Sequence, residues 1–177
     1  NIIVDGDSSQ VRANSYVFRL GKEVKFFSTR EKKEGKAGDI VVINAGDSAL
    51  VHSMENLDFS QKAVDVLYKG QQLCVFLTPS TTLIREALQL PSTKVDPGYS
   101  GTLNWTIRNS GIEPIHLEIG EPVFKATFFL LTEDEELPEK RYGERNDRDF
   151  YHGKTGLVDS KRRLPVDIST RKKICVS

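Results

Sequence analysis

Turn signals divide most of the chain into short segments that have the pattern of β-strands. These segments are rich in apolar residues, which in some of them alternate with polar ones, and glycine, proline or aspartate stands between them. The sequence predicts strands over residues 15–20, 40–43, 49–53, 64–68, 72–78, 103–109, 115–119 and 124–131. Many short strands at this spacing are typical of sandwiches, jelly rolls and distorted barrels. The chain is therefore predicted to be mainly β.

One segment has the spacing of a helix, and the last part of the chain has no periodicity. Leu83, Ala87 and Leu88 can share one face of a helix over residues 81–89. Four acidic residues at 133–136 precede a polar, largely basic segment. We therefore predict a β domain over residues 1–137 and a C-terminal arm or flap over residues 138–177.

Charge and hydropathy exclude two classes of partner. Lysine plus arginine and aspartate plus glutamate both number 25, so no overall field attracts a nucleic acid polymer or an anionic membrane. No apolar run approaches the roughly 20 residues of a membrane span, and residues 1–5 lack the apolar core of a signal peptide. We expect a cytoplasmic protein without membrane contact. Because the chain opens on Asn1 rather than Met, we also expect residues before it.

The cysteines do not suggest a metal site. Cys74 and Cys175 are far apart and lack the close pairing of zinc ligands. In a reducing compartment they are expected to be free thiols. No protein-held metal is predicted.

A tight turn leads directly into the most regular alternating segment. Pro97 presets φ for the second position of a turn, and Gly98 supplies the positive φ that a type II turn requires at its third position. Apolar residues at 103, 105 and 107 then alternate with polar ones, as in a strand with one buried face. The turn carries Asp96 and Tyr99 to the end of a hairpin. Alternatively, Asp96 is an ordinary turn residue that caps its own backbone.

The same stretch resembles a known family. "VDPGYSG", "LNWTIRNSG" and "IHLEIGEPVFKATFF" are similar to the third and fourth motifs of the dCTP deaminase and dUTPase superfamily. "NSYVFRLG" resembles its first motif, and "TPSTTLIREALQL" stands where its serine-containing phosphate motif is expected. "RYGERNDRDFYHGKTGLVDSKRR" resembles the C-terminal arm of the deaminase branch. The motifs follow the family's order over nearly the whole chain.

The resemblance implies a fold, an assembly and a ligand. The fold is a distorted jelly roll or β-clip of the trimeric dUTPase-like type, with one short helix. Three copies of the chain would form a homotrimer that binds a pyrimidine deoxynucleoside triphosphate between subunits. Mg²⁺ would enter on the phosphates of this nucleotide.

The resemblance also implies roles for individual residues. Asp96 would orient a water molecule toward the α-phosphorus, and Tyr99 would pack on the deoxyribose. Thr81 stands for the phosphate-binding serine, and Arg85 matches an arginine of the deaminase branch. Lys125 replaces a glutamine of the fourth motif and can hold phosphate as a point charge.

Further positions lie in the arm or depart from the family pattern. In the arm, Tyr151 and Gly156 match the family and Lys154 replaces a polar amide. Tyr151 and Lys154 are predicted to contact substrate. Thr106, a further predicted substrate contact, stands where the deaminase branch has its general acid/base glutamate, and a hydroxyl does not shuttle a proton near neutral pH. Val17 replaces an aspartate of the first motif, and Ser80 replaces the arginine that begins the phosphate motif.

Three functions remain open from the sequence. The main prediction is hydrolysis of dUTP to dUMP and diphosphate, because Asp96, Tyr99, Thr81 and Lys125 can serve it. The second is dCTP deamination, which the arm and Arg85 favour and Thr106 opposes. The third is a non-catalytic nucleotide-binding homologue, which the replacements at Val17, Ser80 and Thr106 favour.

Overall fold

A computed structural model describes residues 1–132 and 156–157. Its elements are, in chain order, β1 (Ile3–Val4), a 3₁₀ helix (Ser8–Gln10), β2 (Tyr16–Phe26), β3 (Lys32–Glu34), β4 (Ile40–Ile43), β5 (Ser48–Asp58), α1 (Gln61–Asp65), β6 (Gln71–Pro79), α2 (Thr81–Arg85), β7 (Leu88–Gln89), β8 (Thr93–Val95), β9 (Ser100–Asn109), β10 (Ile115–Glu118) and β11 (Pro122–Thr132). The predicted domain boundary at 137/138, Tyr151 and Lys154 lie outside the described residues.

The strands form one large sheet and one small sheet, and all pairs are antiparallel. The large sheet has nine strands: β7-β9-β5-β2-β11-β6-β8 in order, with β1 beside β5 and β3 beside β2. The small sheet pairs β10 with β4. Register shifts interrupt the pairs of β2 with β5 and β11, and of β5 with β9, and such irregularities bend strands. The described residues thus confirm a mainly β, distorted jelly-roll fold.

The inner faces of the curled sheet enclose the core. Along β9, Leu103, Trp105 and Ile107 are buried, which confirms the alternation predicted for this strand. The Trp105 ring meets Phe124 of β11 edge to face, with ring centroids 4.4 Å apart. Phe18 of β2 is also fully buried. Burial of each such side chain contributes about 1.5–3 kcal/mol.

A buried ion pair joins β2 to β5. Glu55 is 0% exposed. Its carboxylate accepts hydrogen bonds from the Arg19 Nε (2.6 Å), the Arg19 backbone N–H (3.0 Å) and the Tyr16 hydroxyl (3.1 Å). Because a buried charge is costly without partners, this network fixes the two strands in one alignment.

The strand predicted over residues 64–68 is wrong. This segment begins inside α1 and continues as a turn in which Leu67 and Tyr68 donate their N–H groups to the Val64 carbonyl. Ser60 starts the helix, because its side chain accepts a hydrogen bond from the Ala63 N–H. β-branched and aromatic residues suggested a strand, and the N-cap overrides that preference.

The helix predicted over residues 81–89 is longer than the helix in the structure. The predicted number of short helices, one, is also wrong. α2 ends at Arg85, and Ala87 has a left-handed φ of 63°. The next two residues form β7, in which Leu88 pairs with Asn109 of β9. With α1, the described residues contain two short α-helices. Neither is long and apolar enough to cross a membrane, and the cytoplasmic location stays a prediction.

Candidate functional site

The turn at residues 96–99 has the predicted geometry. Gly98 has a φ of 81°, and the Tyr99 N–H donates to the Asp96 carbonyl at 3.3 Å, as in a type II turn. Two more backbone hydrogen bonds tie the turn to the end of β5: Gly98 N–H to the Phe59 carbonyl (3.1 Å) and Phe59 N–H to the Tyr99 carbonyl (2.7 Å). The backbone around Asp96 is therefore firmly held.

The Asp96 side chain lies at the surface beside a lysine. Its Oδ1 is 2.8 Å from the Lys94 Nζ, and the Asp96 side chain is 33% exposed. An ion pair this open contributes about 0–1 kcal/mol. The carboxylate can therefore exchange its lysine for another partner at little cost.

Tyr99 points into the protein. It is only 8% exposed, and its hydroxyl donates to the Thr102 carbonyl at 2.7 Å. In the structure Tyr99 is a packing residue that closes the start of β9. Its predicted contact with a deoxyribose stays a prediction.

A second set of predicted residues gathers around α2. Thr81 begins this helix and Arg85 ends it, and both side chains are exposed. Lys125 of β11 is also exposed and pairs in register with Thr78 of β6, the strand that runs into α2. We refer to Thr81, Arg85 and Lys125 as the α2 group, and to Asp96 and Tyr99 as the hairpin group.

Thr106 lies on the α2 side of the molecule. The half-buried Thr106 lines an open cleft of about 650 Å³ together with Ile84 of α2 and Arg108 of β9. Thr102 and Asn104 share its face of β9. No carboxylate of this strand stands beside Thr106.

One chain does not bring the hairpin group and the α2 group together. Tyr99 and Thr106 are seven residues apart on an extended segment, or roughly 23 Å at 3.3 Å per residue. Val95 pairs with Val75 and Lys125 with Thr78, so Asp96 lies roughly 13 Å farther along β6 than Lys125. Within one chain, a single small group could not contact both the hairpin group and the α2 group.

Residues 156 and 157 lie against the middle of the sheet. The Leu157 N–H donates to Glu23 Oε2 at 2.7 Å, and the Gly156 N–H donates to Thr102 Oγ1 at 3.2 Å. The Asn104 Nδ2 donates to the Gly156 carbonyl at 3.1 Å. The sequence predicted none of Glu23, Thr102 and Asn104 as functional. Its one signal was Gly156, a match to the family's arm.

Glu23 and His52 lie close enough for the charge of each to affect the pKa of the other. The Glu23 N–H donates to His52 Nε2 at 3.1 Å, and His52 Nδ1 is 2.7 Å from the Ser53 carbonyl, so the neutral ring carries its proton on Nδ1. Burial lowers the pKa of His52. Burial would raise the pKa of Glu23, but the Leu157 N–H and Lys32 lower it.

In the part of the chain that the structure describes, no three acidic, histidine or cysteine side chains are placed to hold a metal ion. The resemblance implies that Mg²⁺ would be carried by the nucleotide. Mg²⁺ commonly binds substrate phosphates and keeps several water ligands. The exposed cations and hydroxyl of the α2 group fit a phosphate chain neutralised in this way.

Known proteins were compared with both the sequence and the fold. No family model matches the sequence. A dCTP deaminase of Thermococcus gammatolerans is 28% identical over 154 residues, which cover 84% of this chain and 82% of the relative. A 2′-deoxycytidine 5′-triphosphate deaminase structure from Agrobacterium tumefaciens aligns with a TM-score of 0.56 at 16% identity, covering 73% of this chain. A mutant dUTPase from phage phi11 of S. aureus aligns with a TM-score of 0.48 at 12% identity, covering 80% of this chain and 96% of the other.

These comparisons show which known proteins the chain resembles. The chain spans only 44% of the longer Agrobacterium tumefaciens deaminase chain. That fold and the Thermococcus gammatolerans relative support assignment to the dCTP deaminase/dUTPase superfamily, which confirms the resemblance seen in the sequence. The chain is thus similar to nucleotide-processing proteins of this superfamily, and its own reaction is a proposal.

Proposed function

We propose that the protein hydrolyses a pyrimidine deoxynucleoside triphosphate, namely dUTP, to dUMP and diphosphate. The observation that supports this most is the Asp96 carboxylate, which is solvent-reachable and held on a hydrogen-bonded turn. Water would form a bond to the α-phosphorus, and the bond from that phosphorus to the oxygen bridging to the β-phosphorus would break. Asp96 would accept the proton that the water loses.

The α2 group would hold the triphosphate. Lys125 and Arg85 carry exposed positive charge, and Thr81 offers a hydroxyl donor. Phosphoryl transfer depends mainly on positioning and on neutralising charge. Mg²⁺ on the phosphates would supply further neutralisation.

We also propose that the working unit is a homotrimer. Within one chain Asp96 lies too far along the sheet from Lys125 for both to reach the same phosphate group. A site formed between copies would combine the hairpin group of one chain with the α2 group of the next. Light scattering at micromolar concentration tests this, and a monomeric mass would contradict it.

Two other functions are supported by specific observations. The Thermococcus gammatolerans relative is a dCTP deaminase, and Arg85 matches that branch, but Thr106 offers no proton shuttle. A non-catalytic nucleotide-binding role is favoured by Val17, which is 4% exposed where the family has an aspartate, and by Ser80 at the position of the phosphate-motif arginine.

The test is a comparison of two matched variants with the parent protein. Asp96→Asn keeps the shape of the side chain but removes its ability to take a proton. Asp39→Asn is the control, because Asp39 also caps a turn, accepting from the Lys36 N–H at 2.9 Å, and lies outside both groups. With dUTP and Mg²⁺, we expect kcat to fall on the order of 10²-fold or more in Asp96→Asn only.

Chromatography of the products distinguishes the alternatives. Equal dUTP hydrolysis by Asp96→Asn and the parent would show that the carboxylate is wrongly assigned. Ammonia released from dCTP by the parent would favour deamination. Binding of either nucleotide without turnover would favour the non-catalytic role.

A further inference from the structure

The contacts of Gly156 and Leu157 connect distant parts of the chain. Leu157 is 134 residues from Glu23, and Gly156 is more than 50 residues from Thr102 and Asn104. All three hydrogen bonds involve the backbone of residues 156–157: two N–H groups and one carbonyl. These contacts therefore depend on the backbone conformation of two consecutive peptide groups and not on their side chains.

Position 156 requires glycine for two reasons. Its φ of 72° lies in the left-handed region, which other residues enter at a cost. A Cβ at this position would also lie 2.6 Å from Glu23 Oε2. The same carboxylate oxygen accepts the Leu157 N–H, so the close approach that excludes a side chain also makes the hydrogen bond.

The residues that receive this backbone are themselves held. Lys32 Nζ lies 2.6 Å from Glu23 Oε1, which leaves Oε2 for Leu157, and the Glu23 side chain is 23% exposed. Thr102 Oγ1 donates to Asn56 Oδ1 at 2.6 Å and accepts from Gly156. Hydrogen bonds from a backbone N–H to a carboxylate are among the stronger ones in proteins.

We propose that Glu23 is a positioning residue which, together with Thr102 and Asn104, anchors the C-terminal segment of its own chain at Gly156–Leu157. We call these three residues the arm anchor. Asn104 and Thr106 are two residues apart on one face of β9, or about 7 Å. The arm anchor therefore holds Gly156 next to the cleft that Thr106 lines.

The consequence for catalysis rests on the proposed function. Tyr151 and Lys154, which the resemblance assigns to substrate binding, precede Gly156 by five and two residues. An anchor at Gly156 would restrict the positions that these two nearby residues can reach. Loss of the anchor is therefore expected to lower kcat/KM for dUTP.

The anchor itself is tested by hydrogen exchange of the Leu157 amide in the full chain. We expect Glu23→Ala to speed this exchange on the order of tenfold or more, because the acceptor is lost. Lys32→Ala is the matched control: it removes the other partner of Glu23, with Lys32 half exposed, and leaves the Leu157 acceptor in place. Gly156→Ala, whose Cβ would collide with Glu23 Oε2, should act like Glu23→Ala.

A conservative variant separates positioning from folding. Glu23→Gln keeps an oxygen that can accept the Leu157 N–H, so exchange should return toward that of the parent. In steady-state kinetics with dUTP, Glu23→Ala and Gly156→Ala should lose about tenfold in kcat/KM, and Glu23→Gln should recover part of it. Unchanged Leu157 exchange in Glu23→Ala would overturn the anchor.

The two proposals fail in different ways. If exchange rises but kcat/KM for dUTP stays the same, the positioning role is overturned while hydrolysis stands. If the parent turns over no pyrimidine triphosphate, the proposed hydrolysis fails, and Leu157 exchange still decides whether the anchor exists.

Discussion

The two ends of β9 differ in how they are held. At its first end, Tyr99 and Thr102 are buried and the preceding turn is hydrogen-bonded to β5. At its other end, Thr106 is half-buried, Arg108 is exposed, and the neighbouring α2 carries exposed Thr81 and Arg85. Ile107 and Asn109 are buried at the second end as well, so the two ends differ in the exposed polar side chains that the second end presents.

This difference indicates how the site divides its work. A carboxylate that must meet a water molecule benefits from a fixed backbone, and Asp96 has one. Cations that hold a phosphate chain need open, long side chains, and the α2 group has these. The predictions below test whether the stability of the protein depends strongly on the buried Tyr99 side chain at the first end and little on the exposed side chains at the second.

The largest effect is expected from Tyr99→Ala at the packed end. Removal of a buried ring should cost about 3 kcal/mol or more of the free energy of unfolding. Tyr99→Phe keeps the ring and loses only the hydrogen bond to the Thr102 carbonyl, so it should cost about 1 kcal/mol. Urea denaturation measures both. A midpoint for Tyr99→Ala equal to that of the parent would remove the contrast between the two ends.

A gain in stability is expected at the α2 end. Ala87 has a φ of 63°, a conformation that costs a non-glycine residue about 1–2 kcal/mol. Ala87→Gly removes this strain, but it also raises the conformational entropy of the unfolded chain. The net stabilisation should therefore be about 0.5–1 kcal/mol. Ala63→Gly, inside α1, is the control and should destabilise by a similar amount. Thermal unfolding that ranks the two variants in the opposite order would contradict this explanation.

Between the two ends, His52 pairs with Asn104 and should make stability depend on pH. Burial depresses its pKa in the folded protein, so its contribution is present above the unfolded pKa of about 6.5 and is lost as the pH falls below it. The lowered pKa of Glu23 affects stability only at lower pH, near the ordinary pKa of 4.5 for this group. The two pH values 7.5 and 5.5 lie on either side of roughly 6.5. When the pH is lowered from the first to the second, the thermal midpoint should fall less in His52→Asn than in the parent. His116→Asn, exposed on β10, should behave like the parent.

The smallest effect on folding is expected for Thr81→Ala and Arg85→Ala. Both side chains are exposed, so each variant should unfold within about 0.5 kcal/mol of the parent. Their affinity for dUTP, measured by calorimetry, should nevertheless fall. A loss of stability without a loss of affinity would reassign the α2 group to folding.

Local chemistry determined what the sequence could predict about the fold. β4 spans the predicted residues 40–43. The turn at Gly98 has its predicted positive φ, because proline fixes its own φ and glycine reaches positive φ without strain. By contrast, the first strand was predicted to end at Leu20, just before Gly21, whereas β2 continues to Phe26. Gly21 is needed for another reason: a Cβ there would collide with the His52 ring. That contact lies between distant residues and leaves no local signal.

The same limit applies to the site. The resemblance pointed to Asp96, Thr81 and Lys125, but the sequence could not show that one chain holds them apart. It marked Gly156 by its motif alone. The reason for that glycine is the Glu23 carboxylate, and only folding brings the two together.

The ends of the large sheet affect how the protein can associate. Its terminal strands β7 and β8 have two and three residues, and β8 carries the exposed Lys94. Short, charged edge strands give another chain little backbone to pair with, which protects a β protein from aggregation. Association of copies by backbone pairing at these two edges is therefore disfavoured, and with it growth into fibres.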